Sequence, residues 1–445
     1  MKKILFYIAL LFVVVGCEKS SYVAKFEKLP QERAAEQISL VSTSLTAASN
    51  GWIATLPTQA GGGYAFYMAF DKEQGVTMYG DITATSAQTS AKSYYRVKQD
   101  MGTELVFDTY NYISLLNDPN GTLGGANKIG YSSDIEFTFD KIAGDTMMFI
   151  GKKFRQPFKL VKATAAQQTS YLAGNLKTNI DKLTAFFAAN RNSYIEITPG
   201  IKTGVIPDFS NSLANGKRIE LSTVNADKSV TSGKAKIANT IDELTILNGG
   251  LVFQGIVFVK IAWKSATVLA MYDRTGKEYI INNNPVPLLE FKDAFKFNGA
   301  YNGIMISGRN LPAGITSGWN NLWAQQIASY DLNNVGMESM QFRLMNANTA
   351  KLEVWFVSGT TRYLADASYT YVINDDVITL SNYIPSVSNT NWNNGWVVTN
   401  VKNYFINASF RMSWVPSSDP SVSNIGGLYK IGDLTNFYYG RAIKN

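Results

Sequence analysis

The sequence predicts a mainly β chain with a few packed helices, arranged as β-meander sandwich or barrel-like domains and open to an origin by internal duplication. Three observations predict it. Short aromatic and β-branched runs recur throughout, separated by Gly, Asn and Asp turns. Two amphipathic helical stripes with the same spacing stand 142 residues apart, each leading into such runs. The 445 residues, 46% apolar and 13% aromatic, are enough for two to four domains with substantial cores, which sets aside disorder and collagen-like composition.

In chain order, Pro30 opens a helix, because a proline in the first turn loses only an N–H that has no helical partner. Ala34, Ile38, Val41 and Leu45 step by four, three and four and so share one face, and Asn50-Gly51 ends the helix. Strands are predicted from Trp52, across Tyr64 to Phe70 after the Gly61-Gly62-Gly63 turn, and at Val76 to Tyr79, Tyr94 to Lys98, Glu104 to Phe107, Ile135 to Phe139 and Met147 to Ile150. Leu176, Ile180, Leu183 and Phe187 repeat the helical stripe. Asn192, Ile195, Pro199 and Gly204 match Asn50, Ile53, Pro57 and Gly62 at the same offset, with Tyr194 in place of Trp52. Farther on, Asp242 to Ile246 parallels Thr103 to Phe107, and Asp375 to Thr379 is similar. A repeat of this length implies duplicated domains, since solenoid periods run about 20–50 residues. On that reading residues 109 to 131 are an insertion particular to the first half. The last third carries a helix from Leu322 to Tyr330 and strands at Gln341 to Leu344, Leu352 to Val357, Tyr369 to Ile373, Val377 to Leu380 and Phe405 to Trp414.

The resulting division is 1–16 signal peptide, 17–30 lipidated tether, 31–170 helix plus β domain, 171–292 a second helix plus β domain and candidate repeat of the first, and 293–445 a C-terminal β-rich domain. Lys2 and Lys3 precede an apolar run from Ile4 to Val15 that is too short to span a bilayer and has the layout of a secretory signal. Val14-Val15-Gly16-Cys17 fits a bacterial lipobox, with Cys17 as the lipidation site. Because Cys17 is the only cysteine, disulfides and thiolate metal sites are excluded from the rest of the chain. The predicted place is the outer membrane, lipid-anchored, with the periplasmic and cell-surface faces both open. Removing Lys2 and Lys3 takes the basic count from 41 to 39 against 34 acids, a net charge of +5, with no basic block to suggest nucleic acid.

The chain has no histidine, which removes Ser-His-Asp, Cys-His and His-ligated zinc chemistry at one stroke. What is left to an enzyme is a carboxylate pair, a Ser-Lys arrangement or an oxygen-ligated cation, and none has a recognisable spacing here. No catalytic residue, metal ligand or cofactor is assigned.

The lipobox, Leu29-Pro30-Gln31-Glu32-Arg33 leading into Asn50-Gly51-Trp52, the Gly62-Gly63-Tyr64 strand, and Leu105 to Asn111 with Asp118-Pro119 together resemble the domain-of-unknown-function family 4302, lipoproteins of Bacteroidota. The resemblance covers most of the mature chain and brings no activity. It implies association with outer-membrane nutrient uptake of the SusC/SusD type, in some members beside a zinc peptidase, and hence a binding or accessory role.

Three local features are candidates for binding. Trp319-Asn320-Asn321-Leu322-Trp323 and Trp392-Asn393-Asn394-Gly395-Trp396 each combine aromatic planes with amides, the pairing that recognises the flat C–H faces and hydroxyls of sugars. Trp392, Asn393, Asn394, Trp396, Trp319, Asn320 and Trp323 are therefore candidate ligand-binding residues, set against the alternative that the tryptophans anchor loops to the core. Asn117 to Gly121 is oxygen-rich but lacks a following glutamate at calcium-loop spacing, so it reads as a turn. Asp134, Glu136, Asp140 and Asp145, near Lys141, Lys152 and Lys153, read as charges on a solvated strand face and a hairpin end. The function expected is a cell-envelope lipoprotein that serves as a non-catalytic binding or accessory component of an outer-membrane uptake system for glycan or peptide. The alternatives are a structural envelope protein and a carboxylate-dependent glycosidase.

Overall fold

The computed structural model describes residues 28–388 and 390–445, so the signal, Cys17 and most of the tether lie outside the described residues. The first unit opens with α1 (Pro30–Ala47), whose Val41 and Leu45 are buried while Ala34 and Ile38 are half-buried, the stripe the periodicity marks. The Leu29 N–H donates to the Glu32 carboxylate, which satisfies one of the donors a helix start leaves open. Trp52 then ties α1 to the sheet by donating its indole N–H to the Leu45 carbonyl at 2.9 Å.

Eight strands follow: β1 (Trp52–Pro57), β2 (Gly63–Phe70), β3 (Gly75–Gly80), β4 (Ala91–Gln99), β5 (Thr103–Phe107), β6 (Glu136–Ala143), β7 (Thr146–Gly151) and β8 (Pro157–Lys162). Each pairs antiparallel with the next, and β8 returns to β1 from Trp52↔Lys162 to Thr55↔Lys159, closing a barrel. Alternate residues point inward, so Ala54, Leu56, Tyr64, Phe66, Leu105, Phe107, Phe137, Phe149, Phe158 and Leu160 fill the lumen. The interior is a packed core. Residues 109–131, between β5 and β6, carry α3 (Tyr112–Leu115), and they send Ile113, Leu116 and Tyr131 into that core. Another short helix, α2 (Ala84–Gln88), joins β3 to β4.

The second unit begins with α4 (Ala165–Leu172) and α5 (Asn175–Ala189), the latter burying Leu176 and Leu183 of the expected stripe. Its strands are β9 (Ser193–Thr198), β10 (Ile201–Asp208), β11 (Arg218–Val224), β12 (Val230–Asn239), β13 (Glu243–Ile246), β14 (Leu251–Phe253), β15 (Ile256–Trp263), β16 (Leu269–Asp273), β17 (Glu278–Ile280) and β18 (Asn282–Asn283). They run in sequence order, with β14 pairing β15 off the main path. The chain from Glu278 to Asn283 lies on β16 through β17 and on β9 through β18, so it bridges the two edges into a nearly closed barrel. The strand order repeats that of the first unit, with β9 in the place of β1 and β13 in the place of β5. The long insertion after β5 is here the short stretch around β14.

The third unit opens with α6 (Phe291–Ala294) and β19 (Gly303–Ser307), continues with α7 (Trp319–Leu332), and then forms β20 (Val335–Leu344), β21 (Thr349–Ser358), β22 (Thr361–Asn374), β23 (Val377–Pro385), α8 (Lys402–Phe405), β24 (Ser409–Trp414), β25 (Ile425–Lys430) and β26 (Phe437–Ile443). It is a closed barrel in which β19 pairs with both β20 and β26. Its helix therefore falls after the first strand of the ring. Moving β19 to the end would restore the order of the other two units, a helix followed by eight strands around a ring.

Several boundaries differ from expectation, among them β20, which opens at Val335 and not at Gln341, and β22, which opens at Thr361 and not at Tyr369. α7 starts three residues before Leu322, at Trp319. The strand predicted across Phe405 to Trp414 is instead α8 followed by β24, because Asn407 adopts a left-handed φ of 47°, which interrupts an extended run.

Candidate functional site at the joint of the first two barrels

The tryptophan clusters do not present open planes. Trp319 is fully buried at the start of α7, edge-on to Tyr404, Phe405 and Tyr438, and Trp323 is buried with its indole N–H donated to the Arg309 carbonyl at 2.8 Å. Trp392 is buried and donates to the Tyr383 hydroxyl at 2.6 Å. Trp396 is half-buried against Tyr330 and Phe356, and its carbonyl accepts from Gln326 and Ser329. Asn320 is bonded to the Ile315 carbonyl and the Tyr439 hydroxyl, and Asn393 and Asn394 are the exposed members. The expected aromatic planes thus hold loops and α7 to the third barrel's core, the alternative named for them above.

The acidic set separates into different environments. Asp134, expected on a solvated face, is buried: its carboxylate accepts from the N–H groups of Lys153 (2.7 Å) and Phe154 (3.0 Å) and so fixes the turn after β7. Glu136 shares Lys152 with Asp100 and the buried Glu104, at 2.9, 2.7 and 3.0 Å respectively. Lys152 holds the carboxyls of Asp100 and Glu136 below the usual range. A glycosidase's general acid needs the opposite displacement. Asp140 and Asp145 are exposed. Asp118 forms a turn, accepting from the Asn120 N–H and the Tyr110 hydroxyl. Among the described residues no group of three or more His, Cys, Asp or Glu side chains could hold a metal ion.

Polar side chains instead concentrate where the first barrel meets the second. Asp81, just past β3, is fully buried. One carboxylate oxygen accepts from the Ala65 N–H (2.8 Å), and the other from the Asn239 N–H (2.7 Å) and the Lys217 ammonium (3.2 Å). Lys217, also buried, donates to the Asp81 carbonyl at 2.6 Å. Isolated buried charges are costly, and this pair is tolerable because the carboxylate's remaining valences are met by backbone donors. Around it the backbones approach closely. A Cβ on Gly62 would collide with Lys217 and lie 2.5 Å from the Gly216 carbonyl, and one on Gly63 would lie 2.7 Å from the Ile237 carbonyl. The glycine run read as a turn is thus also the contact surface for the second barrel. Arg218 donates to the carbonyls of Ala60 and Gly61, and Lys236 to that of Thr58. Tyr171 of α4 stacks on Tyr67 of β2 with ring centres 5.0 Å apart, while its hydroxyl accepts from the Ile241 N–H.

Beside this locked joint a cleft of about 730 Å³ opens between the barrels, within the range of small-molecule sites, which favour domain interfaces. One wall is the outer face of β1, β7 and β8. The register places Ile53 beside Val161, Thr55 beside Lys159, Lys159 beside Met148, and Pro157 beside Ile150. The other wall comes from β13, β15 and the turn after β13, with Glu243, Thr245, Val259 and Lys260, and with Asp242 and Arg274 at its margins. Sequence reading missed this site. Alternation marks the outward positions of each strand, but nothing local says that two such faces will be turned toward each other.

The geometry defines a class: a protein of serial up-and-down β units, two closed eight-strand barrels with a nearly closed ten-strand barrel between them, whose first pair is locked around an open cleft. The chain belongs to the family described as a domain of unknown function, DUF4302, which matches residues 24–265, from before α1 to just past β15, and so includes both walls of the cleft up to Lys260. No curated protein matches the chain.

Proposed function

We propose that this chain is a cell-envelope lipoprotein, anchored to the outer membrane through Cys17, that acts as a non-catalytic binding or accessory component of a nutrient-uptake system and holds its ligand in the inter-barrel cleft. The observation that carries the reading is the cleft itself. Its two walls belong to different barrels, and the buried Asp81–Lys217 pair fixes their relative position before any ligand arrives. A preformed site avoids part of the ordering cost of association. The lack of histidine and the depressed carboxyls at Lys152 support a binding role over hydrolysis.

The experiment is an affinity purification from native outer membranes, comparing wild type with Cys17→Ala and with Met148→Trp, which fills the cleft. Recovery of a transporter and its surface lipoprotein with wild type, lost on Cys17→Ala, is the expected result. Recovery of nothing with wild type would remove the uptake assignment.

A further inference from the structure

We propose that the cleft takes a short extended peptide with aliphatic side chains, its ammonium end at Asp242 and its carboxylate end at Arg274. The inference rests on the binding reading above and names the ligand of the same site.

The floor is aliphatic: Ile53, Val161, Met148 and Ile150 from the first barrel and Val259 from the second. The aromatic rings that reach the lining, Phe149 and Phe158, are fully buried in the first barrel's core and show no open face to the cleft. A sugar would therefore find no plane to stack on. Aliphatic side chains would find a matching surface.

Opposite charges stand at opposite ends of the second wall: Asp242 just before β13, level with the Ala262 end of β15, and Arg274 beside Val257 at the other end of β15. Asp242 stands beside Gln167 of α4, whose amide donates to it at 2.5 Å, and it makes no ion pair among the described residues. Arg274 gives one guanidinium N–H to the Gly249 carbonyl at 2.6 Å and likewise makes no ion pair there. Glu243 and Lys162, which also line the cleft, are already neutralised by Lys260 (2.9 Å) and Asp145 (3.2 Å). Lys159 and Asp140 add one further unpaired charge of each sign on the first barrel's wall. An ion of a single sign gains nothing overall from this arrangement, whereas a zwitterion meets both ends. β15 runs along the second wall from Ala262, opposite Glu243 and so next to Asp242, to Val257, whose carbonyl accepts from the Arg274 N–H; that is five strand steps, roughly 17 Å at the rise of a strand. A peptide of about five residues has that length.

The test uses calorimetric titration of the full chain with an alternating alanine–leucine pentapeptide in four forms: free, N-acetylated, C-amidated and capped at both ends. Binding of the free peptide is expected, weakened about tenfold by either cap, as for loss of a charge-assisted contact. In Asp242→Asn acetylation should cease to matter, and in Arg274→Met amidation should cease to matter. Unchanged melting temperatures would show that both variants are folded. Equal binding of all four forms, persistence of the acetylation penalty in Asp242→Asn, or full affinity in Met148→Trp would overturn the proposal. So would failure of every pentapeptide to bind. If membrane partners are still lost on Met148→Trp in that case, the binding reading stands and only its ligand class falls. Binding of maltopentaose in place of peptide would have the same meaning.

Discussion

The two joints of this molecule are made from different chemistry. Between the first and second barrels lie a buried ion pair, glycine backbones in contact, and cationic side chains reaching across to carbonyls. Between the second and third runs Asn284 to Leu289, with Pro285 and Pro287, ending at α6. There Phe291 packs on Trp414 with ring centres 4.7 Å apart, and Trp414 donates its indole N–H to the Leu289 carbonyl at 2.7 Å. Polar links back to the second barrel are exposed: the Lys228–Glu290 pair at 3.0 Å and the Lys202 ammonium donating to the Asn284 amide oxygen at 2.8 Å. Apolar contacts tolerate displacement, while a buried charge must find its partner at one geometry or remain unpaired. The first joint therefore fixes an orientation, and it is beside that joint that the cleft opens. The second mainly fastens a linker onto the barrel that follows it.

The comparison breaks most visibly at Asp81 and Lys217. Lys217→Met leaves a buried carboxylate without its cation and should cost about 3–5 kcal/mol in chemical denaturation, with the double change Asp81→Asn/Lys217→Met recovering part of the loss. A single change of less than 1 kcal/mol would mean that the pair does not secure the joint. Trp414→Ala should cost about as much, about 3–5 kcal/mol, but in the third barrel's transition alone. Coincident loss of both transitions in a calorimetric scan would show that the two joints are not separable. Gly62→Ala should destabilise the first joint by about 1–3 kcal/mol through overpacking against Lys217 and Gly216.

A smaller effect is set by pH. Burial and the neighbouring Arg218 charge push the Lys236 ammonium down from 10.5 to about 8. Because the folded value lies below the unfolded one, the unfolded chain binds more protons between those limits. The cost of burying the charge is present in full below about pH 8 and fades as pH rises toward 10.5. Denaturation midpoints should therefore rise across that window in wild type relative to Lys236→Met. An identical pH profile in the two proteins would refute this account of the joint. Lys228→Ala, at the exposed pair of the second joint, should change stability by less than about 1 kcal/mol.

Much of the fold is legible in the sequence because it depends on local periodicity. The stripes of α1 and α5 are buried or half-buried where the four-three-four steps place them, and the 142-residue offset corresponds to a repeated strand order. Strands without clean alternation escaped, whether polar like β12, with Val230, Lys234 and Lys236, or near-continuous apolar runs like β15, and α4 offers only Tyr171 as a fully buried position. Trp319 and Trp392 are ambiguous in the sequence, because tryptophan beside asparagine has the same spelling at a sugar site and at a capped loop. Burial distinguishes them, and burial depends on the ring closing around them. The cleft is harder still to read, since Ile53 and Val259 come to line one cleft through contacts far apart in sequence, such as Asp81 to Lys217 across 136 residues.

Ring closure has a consequence for how this chain can behave in company. Strand backbones in the first and third barrels are paired on both sides, and the second barrel's seam is bridged by Glu278 to Asn283, so little backbone remains to template another strand. The exceptions are in the second barrel: the short β14, three residues long and paired to β15, and the outer edge of β9 past Tyr194, where its pairing to β18 stops. At high local density such a molecule resists edge-to-edge aggregation, a hazard of open sheets. The same economy confines its neighbours to reading side chains, because an incoming strand has almost no ladder to join.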